Sequence, residues 1–397
     1  MKRYKKPNIF TYSIFRGICK ILSKVKFNLK VKTNELKGVK GPYVLLASHE
    51  SSIDFINLCT AINTRAHFVI SNSFYQTLGI RKLMDSVGVI PKQQFQTSVS
   101  DMKKFKQVLE NNMPLIIYPA GLMSSDGIAT HIPSATGKVM KWLNYDVYIA
   151  TTYGSYFTNP KWGNSFRKGK IYLEIKKLYS KDDLNRLSEN EIHNTIVSSL
   201  YYDAYQNQEK DKIYFKKGDN ISGLENVLYY CPKCHNEFTN IVEENVLKCT
   251  CCGNKAIADK YGFLNKSSDE DIIYKYPSSW SKKILQNLKD EILNNEKYYL
   301  EDECEIHMID YKKHKFTLRG NGKIKLDKEA FTLQGTIDGD EVNRLFLRKK
   351  FPILPYKPGK YFEIQDGKDI YRIYLKTSLH TSKWINVLQT FYQIENN

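Results

Sequence analysis

Two cysteine pairs with the same internal spacing constrain this chain more than any other feature. Cys231-Pro232-Lys233-Cys234 and Cys249-Thr250-Cys251-Cys252-Gly253 are separated by fourteen residues. Each C-x2-C pair turns tightly enough for two thiolates to face one metal, and two such pairs complete a tetrahedral site. The spacing predicts a four-cysteine zinc ribbon at 226–258, with Cys231, Cys234, Cys249 and Cys252 as ligands. Cys251 is the alternative to Cys252, but it breaks the x2 spacing. Four thiolates leave no open coordination position, so the zinc is expected to be structural. Disulfides are the competing reading. The basic N-terminus argues against them, because Arg16 and Lys20 break its apolar stretch and it lacks a small-residue cleavage site of the secretory kind. Cys19, Cys59 and Cys304 read as buried apolar side chains.

The rest of the 397 residues leaves room for two or three domains at ~150 residues each. No run approaches the ~18 apolar residues of a membrane-spanning helix. Val25 to Val31 alternates like a half-buried strand, and Tyr43 to Ala47 reads as a buried one. Short strands at His67–Ile70, Leu115–Tyr118, Val147–Ala150 and Ile171–Ile175 alternate with helices near 53, 98–111 and 134–144. Such alternation argues for an α/β domain. Ser188-Glu189-Asn190-Glu191 is a capping box opening a helix to about Gln206. A polar linker occupies 207–225. From 270 onward, a helix behind Ser279 precedes short strands, and a last helix contains Trp384. The expected organisation is 1–40, a basic helix and first strand; 41–210, the α/β domain; 226–258, the ribbon; and 270–397, a β-rich domain.

The net charge is +18, but it is unevenly placed: residues 1–40 carry +11, residues 41–180 carry +7, and 181–397 is neutral. An anionic partner therefore meets the N-terminal half. Phe10, Ile14, Ile18, Leu22 and Val25 recur at helical spacing beside Arg16, Lys20 and Lys24, with Lys2, Arg3, Lys5 and Lys6 ahead of them. This is an amphipathic helix able to lie on an anionic membrane; a helix packed on its own domain is the plain alternative. The ribbon lies in the neutral half, so nucleic acid is not expected as a partner.

His49 follows the strand 43–47, at the strand end where α/β folds place their sites. Asp54, five residues on, can hydrogen-bond one imidazole nitrogen and leave the other free as a general base. A zinc-protease reading fails, because Ile53 stands where a second histidine is needed. By spacing alone this pair is a weak signal.

Its surroundings strengthen it. His49 to Asp54, Gly88-Val89-Ile90-Pro91-Lys92, Tyr118-Pro119-Ala120-Gly121 with Ser124-Ser125-Asp126-Gly127, and the strand Val147–Thr151 follow one another with matching order and spacing. In these blocks residues 10–200 resemble the glycerolipid acyltransferase family that includes the bacterial 1-acylglycerol-3-phosphate acyltransferases. The resemblance implies a mixed sheet with flanking helices. It also implies an O-acyltransferase in which His49 deprotonates an acceptor hydroxyl, oriented by Asp54, for attack on acyl-CoA or an acyl-carrier protein thioester. It implies a lysophospholipid-like acceptor and a peripheral location on the cytoplasmic, inner face of the membrane.

The departures concern the acceptor. Gln93 and Gln94 stand where the family's second block ends in arginine, and Ala120 and Met123 stand where its third block has glutamate and arginine. The resemblance then leaves Lys92, Gly121, Ser124 and Ser125 as the substrate-binding candidates. Lys138, Arg167 and Lys168 read first as surface charges, and His131, a candidate second base, reads first as a structural or exposed group. A second reading is a non-catalytic lipid- or protein-binding scaffold with a degenerate site. The β-rich C-terminal domain loosely resembles a PH- or GRAM-like barrel with a closing helix, and Arg348-Lys349-Lys350 reads as exposed charge.

Overall fold

The computed structural model describes residues 5–94 and 98–396; Lys2 and Arg3 lie outside them. Contacts divide the chain into two compact units, residues 1–160 with 166–216, and residues 161–165 with 217–397.

The first unit runs α1 (Ile9–Val25), β1 (Leu29–Asn34), β2 (Val44–Ala47), α2 (Asp54–Ala61), β3 (His67–Ser71), α3 (Asn72–Thr77), α4 (Arg81–Ser86), β4 (Val89–Lys92), α5 (Val99–Glu110), β5 (Leu115–Ile117), α6 (Ala135–Leu143), β6 (Val147–Tyr153), α7 (Ser155–Thr158), β7 (Ile171–Tyr179), α8 (Lys181–Arg186), α9 (Glu189–Leu200) and α10 (Ala204–Asp211). Its seven-stranded sheet has the order β1-β7-β6-β2-β5-β3-β4. β6 and β7 are antiparallel; the other pairs are parallel, which makes the sheet mixed. β2 lies inside it, and all four of its residues are buried. Alternate side chains leave opposite faces of a strand. Val44 and Leu46 join α5, α6 and α9 residues such as Phe105, Met140 and Ile196 on one face. Leu45 and Ala47 join Cys19 of α1 and Leu58 and Cys59 of α2 on the other. The sheet is thus covered on both sides, as a mostly parallel sheet requires.

Three local expectations change. Val25 ends α1 instead of starting a strand, because its helical spacing from Ile21 extends the helix; Asn28 turns the chain at φ 48° before β1 begins. The helix expected from 188 to 206 stops at Leu200. Asp203 then caps a new helix by accepting from the Tyr205 and Gln206 amides. Tyr202, in the break, points its hydroxyl at the His49 carbonyl. Neither α3 nor α4 was expected; at six residues each they are too short to show a helical period.

The second unit begins with β8 (Asn240–Glu243), β9 (Val246–Cys249), β10 (Lys255–Ala258) and β11 (Leu264–Lys266), an antiparallel sheet packed on α11 (Pro277–Leu293) through Leu247, Ala256, Trp280 and Ile284. It continues with β12 (Leu300–Asp310), β13 (Lys315–Leu326), β14 (Ala330–Ile337), β15 (Asp340–Leu347), β16 (Tyr356–Lys357), β17 (Tyr361–Asp366), β18 (Asp369–Leu375) and α12 (Thr381–Asn396). These seven strands form one antiparallel sheet in the order β15-β14-β13-β12-β18-β17-β16. Trp384 of α12 stacks on Phe362 and Phe331 at 5.8 and 6.4 Å. Arg348 corrects the expectation of exposed charge. It is fully buried, pairs with Glu395 and donates Nε–H to the Lys328 carbonyl at 2.6 Å.

Candidate active site and candidate metal site

β2 ends at Ala47, and the chain leaves the sheet through Ser48, whose amide still donates to the Ala150 carbonyl at 2.9 Å. The next side chain is His49. A turn then brings Asp54, the first residue of α2, back towards it. Asp54 Oδ2 accepts from the Ser51 amide at 2.8 Å and lies 3.1 Å from His49 Nδ1. Its other oxygen, Oδ1, accepts from the Ser155 hydroxyl at 2.5 Å. Asp54 is buried, whereas the His49 side chain keeps 22% of its surface exposed. A buried carboxylate is stable only when its lone pairs are satisfied, and here three donors converge on it. Nδ1 therefore carries the proton shared with Asp54, and Nε2 has no hydrogen-bond partner among the described residues.

Other groups fix the ring. Tyr118 lies against the imidazole, with centroids 4.5 Å apart. The His49 carbonyl accepts from the Tyr202 hydroxyl at 3.1 Å and the Ser124 amide at 3.3 Å. Glu50 is fully buried behind the pair and accepts from the Tyr156 amide at 2.9 Å. Burial first, and then the nearby Asp54 charge, hold its carboxyl well above the usual range. Burial and the same Asp54 charge also push the Tyr118 and Tyr202 hydroxyls up, so both stay protonated. The arrangement is an imidazole with one nitrogen held and the other offered, which is the geometry of a general base.

The remaining candidates divide. Ser124 is buried beside His49; its amide meets the His49 carbonyl, and its hydroxyl accepts from the Gly127 amide at 2.8 Å, which builds the loop. Gly121 takes φ 67°, where a side chain would strain the backbone, and its carbonyl accepts from Gln94 Nε2 at 2.6 Å. Gln94 thereby ties the loop after β4 to the loop after β5. Ser125 offers its carbonyl to the Tyr156 hydroxyl at 3.4 Å. Lys92 ends β4, three strands from β2, about 14 Å at ordinary strand spacing. Its ammonium donates to the Gln93 carbonyl at 2.9 Å, and burial lowers its pKa. Arg167 corrects its surface reading: it is buried. Lys138, Lys168 and His131 are exposed.

Sequence reasoning missed Ser155, Glu50, Tyr118 and Tyr202 as parts of the site. Glu50 lies inside the quoted motif, and Tyr118 opens another. Ser155 and Tyr202 are 106 and 153 residues from His49, and no local pattern points to them.

In the second unit, the Sγ atoms of Cys231, Cys234, Cys249 and Cys252 lie within 4.8 Å of one another. The Cys231–Cys252 and Cys234–Cys249 separations are both 3.7 Å. A tetrahedral ion with ~2.3 Å metal–sulfur bonds sets its ligands ~3.8 Å apart, so the four thiols fit a metal ion. Each knuckle closes on a residue with positive φ, His235 at 67° and Gly253 at 74°, whose amide donates to the carbonyl of the knuckle's first cysteine. Cys251 is exposed, outside the cluster, and its sulfur accepts from Asn236.

The first unit is thus a mixed α/β sheet with a held imidazole at the end of an inner strand. Residues 27–155, about a third of the chain, match the family model described as Acyltransferase, so this chain carries an acyltransferase domain and is an acyltransferase enzyme. Among solved structures, it is similar to the 1-acyl-sn-glycerophosphate acyltransferase PlsC from Thermotoga maritima. The identity is 16% over 50% of this chain and 79% of that one, with a TM-score of 0.42. It is also similar to two structures of the Ran-binding domain of the nuclear pore component Nup2 from Ashbya gossypii. Their identities are 15% and 18% over 24% and 25% of this chain and 98% and 97% of theirs, with TM-scores of 0.19 and 0.20. No curated protein matches.

Proposed function

We propose that this enzyme moves a fatty acyl chain from acyl-CoA or an acyl-carrier protein to the hydroxyl of a lysophospholipid-like acceptor at a membrane surface. The observation that carries the reading is the His49–Asp54–Ser155 array, with Nδ1 engaged and Nε2 offered. Nε2 takes the acceptor's hydroxyl proton as its oxygen attacks the thioester carbonyl. The carbon–sulfur bond then breaks, and the departing thiolate takes the proton back from His49. Asp54 stabilises the imidazolium between the two steps. Lys92, Gly121, Ser124 and Ser125 are the proposed acceptor-side groups. Gln94, Ala120 and Met123 put neutral side chains where the family resemblance leads one to expect charge. The proposed acceptor range therefore extends beyond 1-acylglycerol-3-phosphate.

A membrane partner is supported by α1. Tyr12, Cys19 and Ser23 face inward, whereas Phe10, Ile14, Ile18, Ile21 and Val25 stand 51–73% exposed in one stripe beside exposed Lys20 and Lys24. Ile21 takes the place in this stripe that the sequence spacing assigned to Leu22, which packs inward with Phe27 and Ile53. Such a face suits an anionic bilayer; we place it on the cytoplasmic, inner leaflet. No helix among the described residues is long and apolar enough to cross a membrane. In the second unit, zinc is the proposed ion, held by four thiolates in a structural role.

The test is thiol release from palmitoyl-CoA with a panel of lysophospholipids, together with lipid profiles of cells carrying His49→Ala. The variant is expected to lose at least ~100-fold in turnover and to reproduce the lipid profile of cells lacking the protein. Full turnover by the variant would refute the base assignment.

A further inference from the structure

We infer that the α3–α4 hairpin is a second membrane-contacting element, and that it seats the active-site edge of the sheet on an anionic bilayer. This rests on the membrane reading of α1 and adds a separate surface to it.

The hairpin is amphipathic across its own short length. Its inner side chains, Tyr75 and Met84, share a cluster with Tyr12 and Phe15 of α1 and with Val87 and Val89. Its outer apolar side chains, Phe74, Ile80 and Leu83, stand 46–49% exposed, with Lys82 exposed among them. The acid of this segment, Asp85, accepts from the Tyr75 hydroxyl at 2.8 Å. Three large apolar side chains left exposed on one short hairpin form the kind of patch that marks an interaction surface.

One hydrogen bond joins the hairpin to the start of α1, and a second ties that start to the segment before β3. The Asn8 amide, at the cap of α1, donates to the carbonyl of Ser86, the last residue of α4, at 2.8 Å. The Pro7 carbonyl accepts from Arg65, just before β3, at 2.6 Å. Ile9 and Phe10, both exposed, follow directly. Exposed apolar groups of two separate elements are thus tied together, and Lys5, Lys6 and Lys82 lie exposed in the same two segments. Neighbouring apolar and basic groups together match an anionic lipid surface, where apolar groups enter the acyl boundary and cations remain at the headgroups.

The position is informative. β3 runs parallel to β5, and β5 to β2, so all three strands end on one edge. α3 follows β3 immediately, two strands from β2, about 10 Å. His49 follows β2 on that edge. A bilayer reached by the hairpin brings a membrane-borne hydroxyl to the mouth of the site.

Vesicles of phosphatidylcholine with phosphatidylserine test this by flotation, with phosphatidylcholine alone as control. Wild type is expected to float with the anionic vesicles. Phe74→Ser/Ile80→Ser/Leu83→Ser is expected to lower partitioning at least about tenfold while its circular dichroism stays that of wild type. Leu83→Trp keeps an apolar side chain, so it tests contact directly. Its added fluorescence is expected to shift to the blue and to be quenched by brominated lipid. If Leu83→Trp stays unquenched while the protein floats through α1, shown by release of Phe10→Ser/Ile14→Ser/Ile18→Ser, the hairpin inference is overturned and the α1 reading stands. If wild type itself stays off every vesicle, the membrane reading fails, and the inference with it.

Discussion

Replacing Glu50 with glutamine isolates the energetics of the site. Unfolded, this glutamate ionises near pH 4.5; folded, it keeps its proton to well above that. Burial and the Asp54 charge cause the shift. Between the two pH values the folded chain binds one proton more than the unfolded one. Folding stability therefore falls as pH rises, by about 1.4 kcal/mol per pH unit, starting near 4.5 and levelling off at the folded value. Glu50→Gln has no proton to lose and retains an acceptor for the Tyr156 amide. Its stability relative to wild type is expected to grow by that amount per unit from pH 5 upward, until the folded value is reached. For a unit of about 200 residues, ~1 kcal/mol is ~2–4 °C in melting temperature, so the gap widens by roughly 3–5 °C per pH unit. Calorimetry of both proteins across this range measures it directly. A constant offset at low pH is irrelevant, because the slope carries the argument. Parallel melting temperatures at every pH would refute the upward shift of this buried carboxyl.

Ser155→Ala removes a hydrogen bond to a buried charge, worth ~1.5–3 kcal/mol. We expect turnover to fall roughly 10–100-fold with KM nearly unchanged, read by thiol release; a KM effect alone would contradict the orienting role. Cys252→Ser is expected to abolish stoichiometric zinc binding in native mass spectrometry and lower the melting temperature of the second unit, whereas Cys251→Ser leaves both at wild-type values. Gln94→Arg breaks the tie to the Gly121 carbonyl and adds a cation. It is expected to raise turnover of 1-acylglycerol-3-phosphate relative to zwitterionic lysophospholipids by about tenfold, measured with competing acceptors.

Much of this was legible because it is written at short range. The x2 spacing selects Cys252 over Cys251, since a knuckle closes only when two thiolates face inward from one turn. His49 and Asp54 are five residues apart on a strand-to-helix turn, so their meeting is local. Apolar runs located five of the first sheet's seven strands, β2, β3, β5, β6 and β7, while β4 went unread and β1 lies a few residues later than its alternation suggests. Errors arose where period alone was the guide. Leu22 and Ile21 are neighbours on one helix, and only packing against Phe27 and Ile53 decides which turns inward. Arg167 and Arg348 look like ordinary surface charges in the sequence, yet both are buried.

The amino-acid sequence alone determined the chemistry on offer: a histidine with a local carboxylate, four thiols at metal spacing, and a positive N-terminal half. Tertiary structure decided how those groups are used. Ser155, brought across the sheet from the end of β6, saturates Asp54 and so holds the imidazole with one nitrogen free. The break at Tyr201–Asp203 sends Tyr202 to the His49 carbonyl. Folding also pushes the Glu50 carboxyl well above its usual range and leaves one stripe of α1 and one side of α3–α4 uncovered. The physical reason is common to all of them. Residue type and spacing set which interactions a side chain can make, but burial and partners from distant segments set which of them it makes.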